Sequence, residues 1–127
     1  FSNSSARIKL DSILHPEMAK MAAHRIENLR LKGADTVVLE AALLIEAQWD
    51  SLVDEIWVTD APEEEIVARL KKRNHLPQKD IRARIKSQLP FREKAKHGQV
   101  IIENSASLLH WREKVAKLWE ERVKGRV

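Results

Sequence analysis

The sequence predicts an α/β fold in which helices flank a parallel sheet. Three observations point there. Thr36-Val37-Val38-Leu39, Ile56-Trp57-Val58-Thr59 and Val100-Ile101-Ile102 are short, β-branched runs of the kind that form buried strands. The stretches around them carry helical periodicity. Strands that alternate with helices pair in parallel, because a parallel return needs a long crossover.

Taken in order, the elements begin with an apolar stripe between Ala6 and Leu31. Leu10, Leu14, Met18, Ala22, Ile26 and Leu29 recur there at three or four residues. Pro16 interrupts it, so a short helix, a break at His15 and a longer helix with Pro16 in its first turn are expected. Arg30, Lys32 and Gly33 make a C-terminal stop. Asp60-Ala61-Pro62-Glu63-Glu64-Glu65 marks the next helix, with proline at the first turn and carboxylates behind it. It should bury Ile66, Val67 and Leu70 and end near Asn74. A further helix is expected from about Gln78 to Gln88, turning Ile81 and Ile85 inward and stopping before Pro90. Ser105 is placed to cap a last helix with Leu108, Val115, Leu118, Trp119 and Val123 on one side. Three strands are few for a parallel sheet, whose edges would offer unpaired backbone groups. Further strands upstream, or pairing with a second copy, would resolve this.

The bulk properties bound the function. With 127 residues, 43% hydrophobic and 33% charged, the chain fits one globular domain. It has no Cys, which excludes disulfides and thiolate metal sites. No apolar run approaches the roughly 18 residues of a membrane span, so no membrane partner is expected and a cytoplasmic location is. Phe1-Ser2-Asn3-Ser4-Ser5 is neither a signal nor a transit peptide. Lacking an initiator Met, the chain is expected to begin inside a longer one. The net charge of +4 suggests anionic partners, but interspersed acidic residues argue against nucleic acid.

Basic residues concentrate between Arg69 and Lys96. Arg69 and Arg73 share a helix face, and Arg82, Arg84, Lys86 and Gln88 follow on the next helix. Two arginine-bearing helices joined at Asn74-His75-Leu76-Pro77 suit phosphate, because a guanidinium can donate two hydrogen bonds to paired oxygens. A solvated face laced by Glu63, Glu64 and Glu65 is the bland alternative. His15 before Pro16 would place an imidazole at a helix N-terminus, able to hold a polar or anionic group. Glu46, beyond the run Ala41-Ala42-Leu43-Leu44-Ile45, and Asn104, past the third strand, belong to strand C-terminal ends, where ligands collect in open α/β sheets. No metal-ligand spacing, nucleophile elbow or triad is present. No G-x-x-x-x-G-K-[ST] occurs either, since the only glycines are Gly33, Gly98 and Gly125. Trp49, Trp57, Trp111 and Trp119 fit core or interface packing.

In order and spacing, these pieces resemble the dephospho-coenzyme A kinases. The resemblance rests on Leu14-His15-Pro16, Val38-Leu39-Glu40-Ala41-Ala42-Leu43-Leu44-Ile45-Glu46, Ala68-Arg69-Leu70 with Arg73, Arg84-Ile85-Lys86-Ser87-Gln88, and Ile102-Glu103-Asn104. It spans essentially the whole chain. It implies part of a P-loop kinase fold: residues 1–34 as a helical substrate-side region, 35–74 and 98–127 as core α/β, and 75–97 as a helical lid. It also implies ATP-dependent phosphorylation of the ribose 3′-hydroxyl of dephospho-coenzyme A, the last step of coenzyme A synthesis. His15, Pro16, Leu43, Leu44 and Glu46 would then bind the acceptor substrate. Arg69 and Arg73 would act in catalysis on the phosphates. Arg84, Gln88 and Asn104 would bind ATP or its phosphates. ATP and Mg²⁺ are implied, with the Mg²⁺ ligands, the P-loop and the catalytic base in an upstream segment. Without them these residues are expected to be inactive alone. Many relatives have Pro at Ala42, Asp at Asn74, Ala-Asp at Gly98-Gln99 and Gly at Ala106. The Ala-Ala-Leu-Leu form is similar to the kinase module of bifunctional coenzyme A synthases. Other readings are a non-catalytic module self-associating through its sheet edge, a nucleotide-kinase-type enzyme, and a basic nucleic-acid binder.

Overall fold

The computed structural model describes residues 4–105 and 107–126. The position of Ala106 and the reading of Phe1, Ser2 and Asn3 lie outside the described residues. The chain divides into two compact units, Phe1–Asp54 and Glu55–Val127.

The first unit is dominated by one helix, α1 (Ser4–Leu31), with Pro16 inside it. The expected break at His15 does not occur. Proline forfeits one backbone bond and crowds the carbonyl four residues back, at a cost of about 3 kcal/mol. Here more than ten residues of mostly good helix formers continue the ladder on each side of it, and those bonds outweigh the one lost. The apolar stripe is present but open to solvent, with Leu10, Leu14, Met18 and Leu29 all exposed. The C-terminal stop forms as expected. Gly33 adopts φ 88°, its N–H donates to Arg30 O (2.9 Å), and Ala34 N–H reaches back to Leu29 O (3.1 Å). This is a Schellman arrangement that a Cβ would oppose.

Residues 36–40 have no regular secondary structure, and no strand forms there among the described residues. Val37 and Leu39 are half-buried while Val38 is exposed. The β-branched side chains favour extension, but a strand also needs a neighbour to bond. The following apolar run becomes a chain of turns. Ala47 N–H donates to Leu43 O (2.8 Å), and Trp49 N–H donates to Leu44 O (2.8 Å). Gln48 takes a positive φ of 57° to make the reversal, and a single 3₁₀ turn, Asp50–Leu52, follows.

The second unit is α/β. Strand β1 (Trp57–Asp60) pairs in parallel with β2 (Val100–Glu103), in the register Trp57↔Val100 to Asp60↔Glu103. Among the described residues, the sheet therefore has two strands rather than three. Between them run α2 (Glu63–Asn74), α3 (Gln78–Lys86) and the five-residue α4 (Phe91–Ala95). The sequence reading did not include α4. After β2 comes α5 (Leu108–Arg122), and a 3₁₀ turn at Lys124–Arg126 closes the unit. Val58, Val67, Ile81, Val100 and Ile102 form its core, and Ile81 is completely buried.

Local chemistry explains the element ends. Pro62, Pro77 and Pro90 each stand just before a helix, where a missing N–H costs nothing. α2 has three glutamates in its first turn and Lys71, Lys72 and Arg73 in its last, matching the helix dipole at both ends. His75 terminates it in the left-handed region. The cap of α5 is Ser107, not Ser105: Ser107 Oγ accepts from His110 N–H (3.3 Å), whereas Ser105 Oγ donates to Glu103 (2.6 Å). Leu108, expected on the inward side, is exposed at the start of this helix. The far end of α5 is tied to the start of β1, where Arg122 Nε and Trp57 Nε1 both donate to Glu55 Oε1 (2.6 and 2.7 Å). That bond to Glu55 raises the Arg122 pKa. Gln99 Oε1 accepts from Ile56 N–H (2.7 Å), holding the strands in register at their entrance.

Candidate functional site

The carboxyl ends of β1 and β2 are joined by one short bond, from Asn104 N–H to Asp60 O (2.6 Å). Asn104 thereby leaves the sheet at a fixed angle. Arg69, two turns into α2, reaches this edge. Its Nη2 donates to Asn104 O (2.7 Å) and to Glu65 Oε2 (2.7 Å). The Glu65 contact is the i, i+4 pair that a helix surface favours. Arg69 thus presents a half-exposed guanidinium beside the strand ends, with donors left over for an incoming anion. Positive charge at the tips of a parallel sheet is what an open α/β fold uses to hold an anionic ligand.

The other expected residues separate into those near this edge and those elsewhere. Arg73 is one turn further along α2, exposed, and its Nε donates to Asn74 Oδ1 (2.9 Å). Arg84 is exposed on α3. Gln88 lies beyond α3, which stops at Lys86, so the two do not share one helix as expected. Gln88 Oε1 instead accepts from Lys94 Nζ (3.1 Å), tying the end of the α3 segment to α4. Arg82 turns back to the first turn of α2, where it meets Glu63 and Glu64. Its pKa is raised, chiefly by the hydrogen bond to Glu64.

In the first unit, His15 does not sit at a helix N-terminus, because α1 runs through Pro16. Its imidazole instead lies edge-on to Trp49, with ring centroids 6.2 Å apart at 76°. Asp11, one turn earlier, is 3.7 Å from His15 Nε2. Trp49 is buried, as expected of a packing tryptophan, and its Nε1 lacks a hydrogen-bond partner. Leu43 is at the exposed limit, while Leu44 and Glu46 are half-buried in the turn segment. Pro16 is exposed.

Sequence reasoning missed Asp11 and Trp49 as neighbours of His15, and it missed that Glu63 and Glu64 engage Arg82. The i, i+4 spacing of Asp11 and His15 was an available signal. The pairing of Arg82 with residues 18 and 19 positions away had none. Among the described residues, no three His, Asp or Glu side chains converge to hold a metal ion.

A parallel sheet with helices between its strands, and an arginine beside the strand ends, places the second unit in the α/β class. The comparisons narrow the class. A family model described as "Dephospho-CoA kinase" matches residues 1–110. The chain belongs to the dephospho-CoA kinase family. A dephospho-CoA kinase of Carboxydothermus hydrogenoformans is 41% identical over 121 residues, covering 95% of this chain and 59% of that protein. One from Geobacter sulfurreducens is 37% identical, covering 96% and 62%. Among solved structures, TT1252 from Thermus thermophilus superposes with a TM-score of 0.76 at 28% identity, covering 97% of this chain and 63% of that one. The dephospho-CoA kinase of Campylobacter jejuni gives 0.66 at 26% identity, covering 100% and 63%. The chain thus spans 59% and 62% of the length of these two curated relatives.

Proposed function

We propose that this chain is the acceptor-binding and lid portion of a dephospho-CoA kinase. The complete enzyme transfers the γ-phosphoryl of ATP to the ribose 3′-hydroxyl of dephospho-coenzyme A, giving coenzyme A and ADP in the cytoplasm. The observation that carries this reading is Arg69, held at the strand tips by Asn104 O in a member of this family. Phosphoryl transfer depends on positioning and on neutralising charge that spreads over the phosphoryl oxygens. Arg69 and Arg73 supply that charge from α2, Arg84 and Gln88 supply phosphate contacts from the lid, and Asn104 lies toward the adenine. In the other unit, His15, Pro16, Leu43, Leu44 and Glu46 form the acceptor side. ATP, together with Mg²⁺ bound by other residues of the enzyme, completes the reaction. Local pairing of cations with carboxylates, as in Lys20–Glu17, Arg30–Glu27 and Lys96–Glu93, supports a reading without nucleic acid. With no G-x-x-x-x-G-K-[ST] to cradle the phosphates, these 127 residues alone bind substrate but do not turn it over.

Isothermal titration of this chain with dephospho-coenzyme A tests the reading. Binding is expected, with Arg69→Ala weakening it about tenfold, the scale of one charge-assisted contact. Incubation with ATP and dephospho-coenzyme A should yield no coenzyme A. Failure to bind, or indifference to Arg69→Ala, sinks the assignment of the site; turnover sinks the claim of inactivity. A second reading, a non-catalytic module that self-associates, is favoured by one observation: each strand has a single neighbour among the described residues. Concentration-dependent dimerisation without binding of dephospho-coenzyme A would select it.

A further inference from the structure

The acidic first turn of α2 does more than complement a helix dipole. Arg82, on the buried-side half of α3, is gripped by both Glu63 and Glu64, with Nη2 at 2.8 Å from Glu64 Oε1 and Nη1 against Glu63. Its neighbour Ile81 is the one fully buried side chain among the described residues. Apolar anchor and ionic fork are therefore adjacent on α3. α3 follows α2 after His75, Leu76 and Pro77, and His75 holds a left-handed backbone at that turn. Ile81 fixes how close α3 lies, whereas a guanidinium bridging two carboxylates fixes how it is rotated, because the planar fork tolerates one orientation.

We propose that Arg82 with Glu63 and Glu64 is an ionic latch that docks α3 on α2 and sets the direction in which α3 presents Arg84. Arg82 is a positioning residue on this view, not a ligand contact. Only the consequence for Arg84 rests on the functional reading above; the latch stands on the geometry of α2 and α3. The contact is partly solvated, so it releases as salt rises and the lid segment can move without losing the Ile81 anchor.

Site-resolved amide hydrogen exchange on the 127-residue chain tests this, with no ligand present. Arg82→Ala and the pair E63Q/E64Q should each speed exchange in α3 about fivefold, the scale of a partly exposed network. Combining them should add little. In the unsubstituted chain, α3 exchange should rise with sodium chloride, and in the variants it should not. Arg82→Lys, which keeps the charge but not the fork, should recover part of the protection in α3, which no loss of packing would predict. Ile81→Ala serves as the contrast, losing docking while keeping the salt response. Amides of β1 and β2 report global unfolding; if Arg82→Ala speeds those too, the E63Q/E64Q pair and the salt response decide. Unchanged α3 exchange, or a loss that Arg82→Lys does not partly reverse, overturns the latch. If the latch holds and dephospho-coenzyme A does not bind, the functional reading fails alone.

Discussion

In Glu55–Val127, five apolar side chains from β1, α2, α3 and β2 are buried, whereas in Phe1–Asp54 only Trp49 is, among the described residues. The second unit is held by tertiary burial, and its short helices would be marginal in isolation. The first unit is held by local terms along a 28-residue helix: a Schellman stop, i, i+3 ion pairs, and the His15–Trp49 contact. The same composition has been put to two uses. A substitution should therefore act through packing in one unit and through backbone propensity in the other.

The largest expected effect breaks or confirms that contrast directly. Ile102→Ala in β2 should cost about 2–5 kcal/mol in denaturant unfolding, since the side chain is 2% exposed. Ile8→Ala on α1, 65% exposed, should stay within about 0.5 kcal/mol. Equal costs would show that α1 is packed in solution.

Intermediate effects should have opposite signs in the two units. Pro16→Ala restores a backbone bond in α1 and should stabilise that helix by about 1–3 kcal/mol, read as slower amide exchange around Ser12–Lys20. Gly98→Ala should destabilise the second unit by about 1–3 kcal/mol, because its Cβ would stand 2.7 Å from Val58 Cγ2. The neighbouring Gln99 accepts from Ile56 N–H, which holds this segment against the start of β1. No change on Gly98→Ala would mean that Val58 moves aside freely.

The smallest expected effect is a pH response confined to the first unit. Arg30 donates two bonds to the Glu27 carboxylate (2.8 and 2.9 Å), and these hold its pKa below the ordinary value. A lowered folded pKa contributes stability that is present above the ordinary glutamate range and fades as pH falls through the folded value. Protection of the amides in the last turn of α1, referred to the intrinsic exchange rate at each pH, should therefore fall on acidification, and Glu27→Gln should remove that step. A profile unaltered by Glu27→Gln would assign the response elsewhere.

Much of the candidate site was legible because its signals are local. Arg69 and Arg73 on one helix face follow from spacing, the start of α2 from Pro62 and three glutamates, and the stop of α1 from Gly33. Asn104 at a strand tip follows once the strand is recognised. Other features were not local. Whether Pro16 breaks a helix depends on how many bonds continue past it. Whether Thr36–Leu39 is a strand depends on a partner, and whether Ser105 or Ser107 caps α5 depends on the angle at which β2 ends.

The sequence by itself determined the alternation of strand and helix, the parallel pairing, the stop of α1, the start of α2 and the family, because periodicity, proline, glycine and charge act over a few residues. Tertiary structure alone decided which arginine faces what. Arg69 turns to Asn104 and Arg82 to Glu63 and Glu64, choices made across 18 to 35 residues of chain. A guanidinium is long, flexible and content with any carboxylate or carbonyl, so only the packing that brings an acceptor within 3 Å settles its direction.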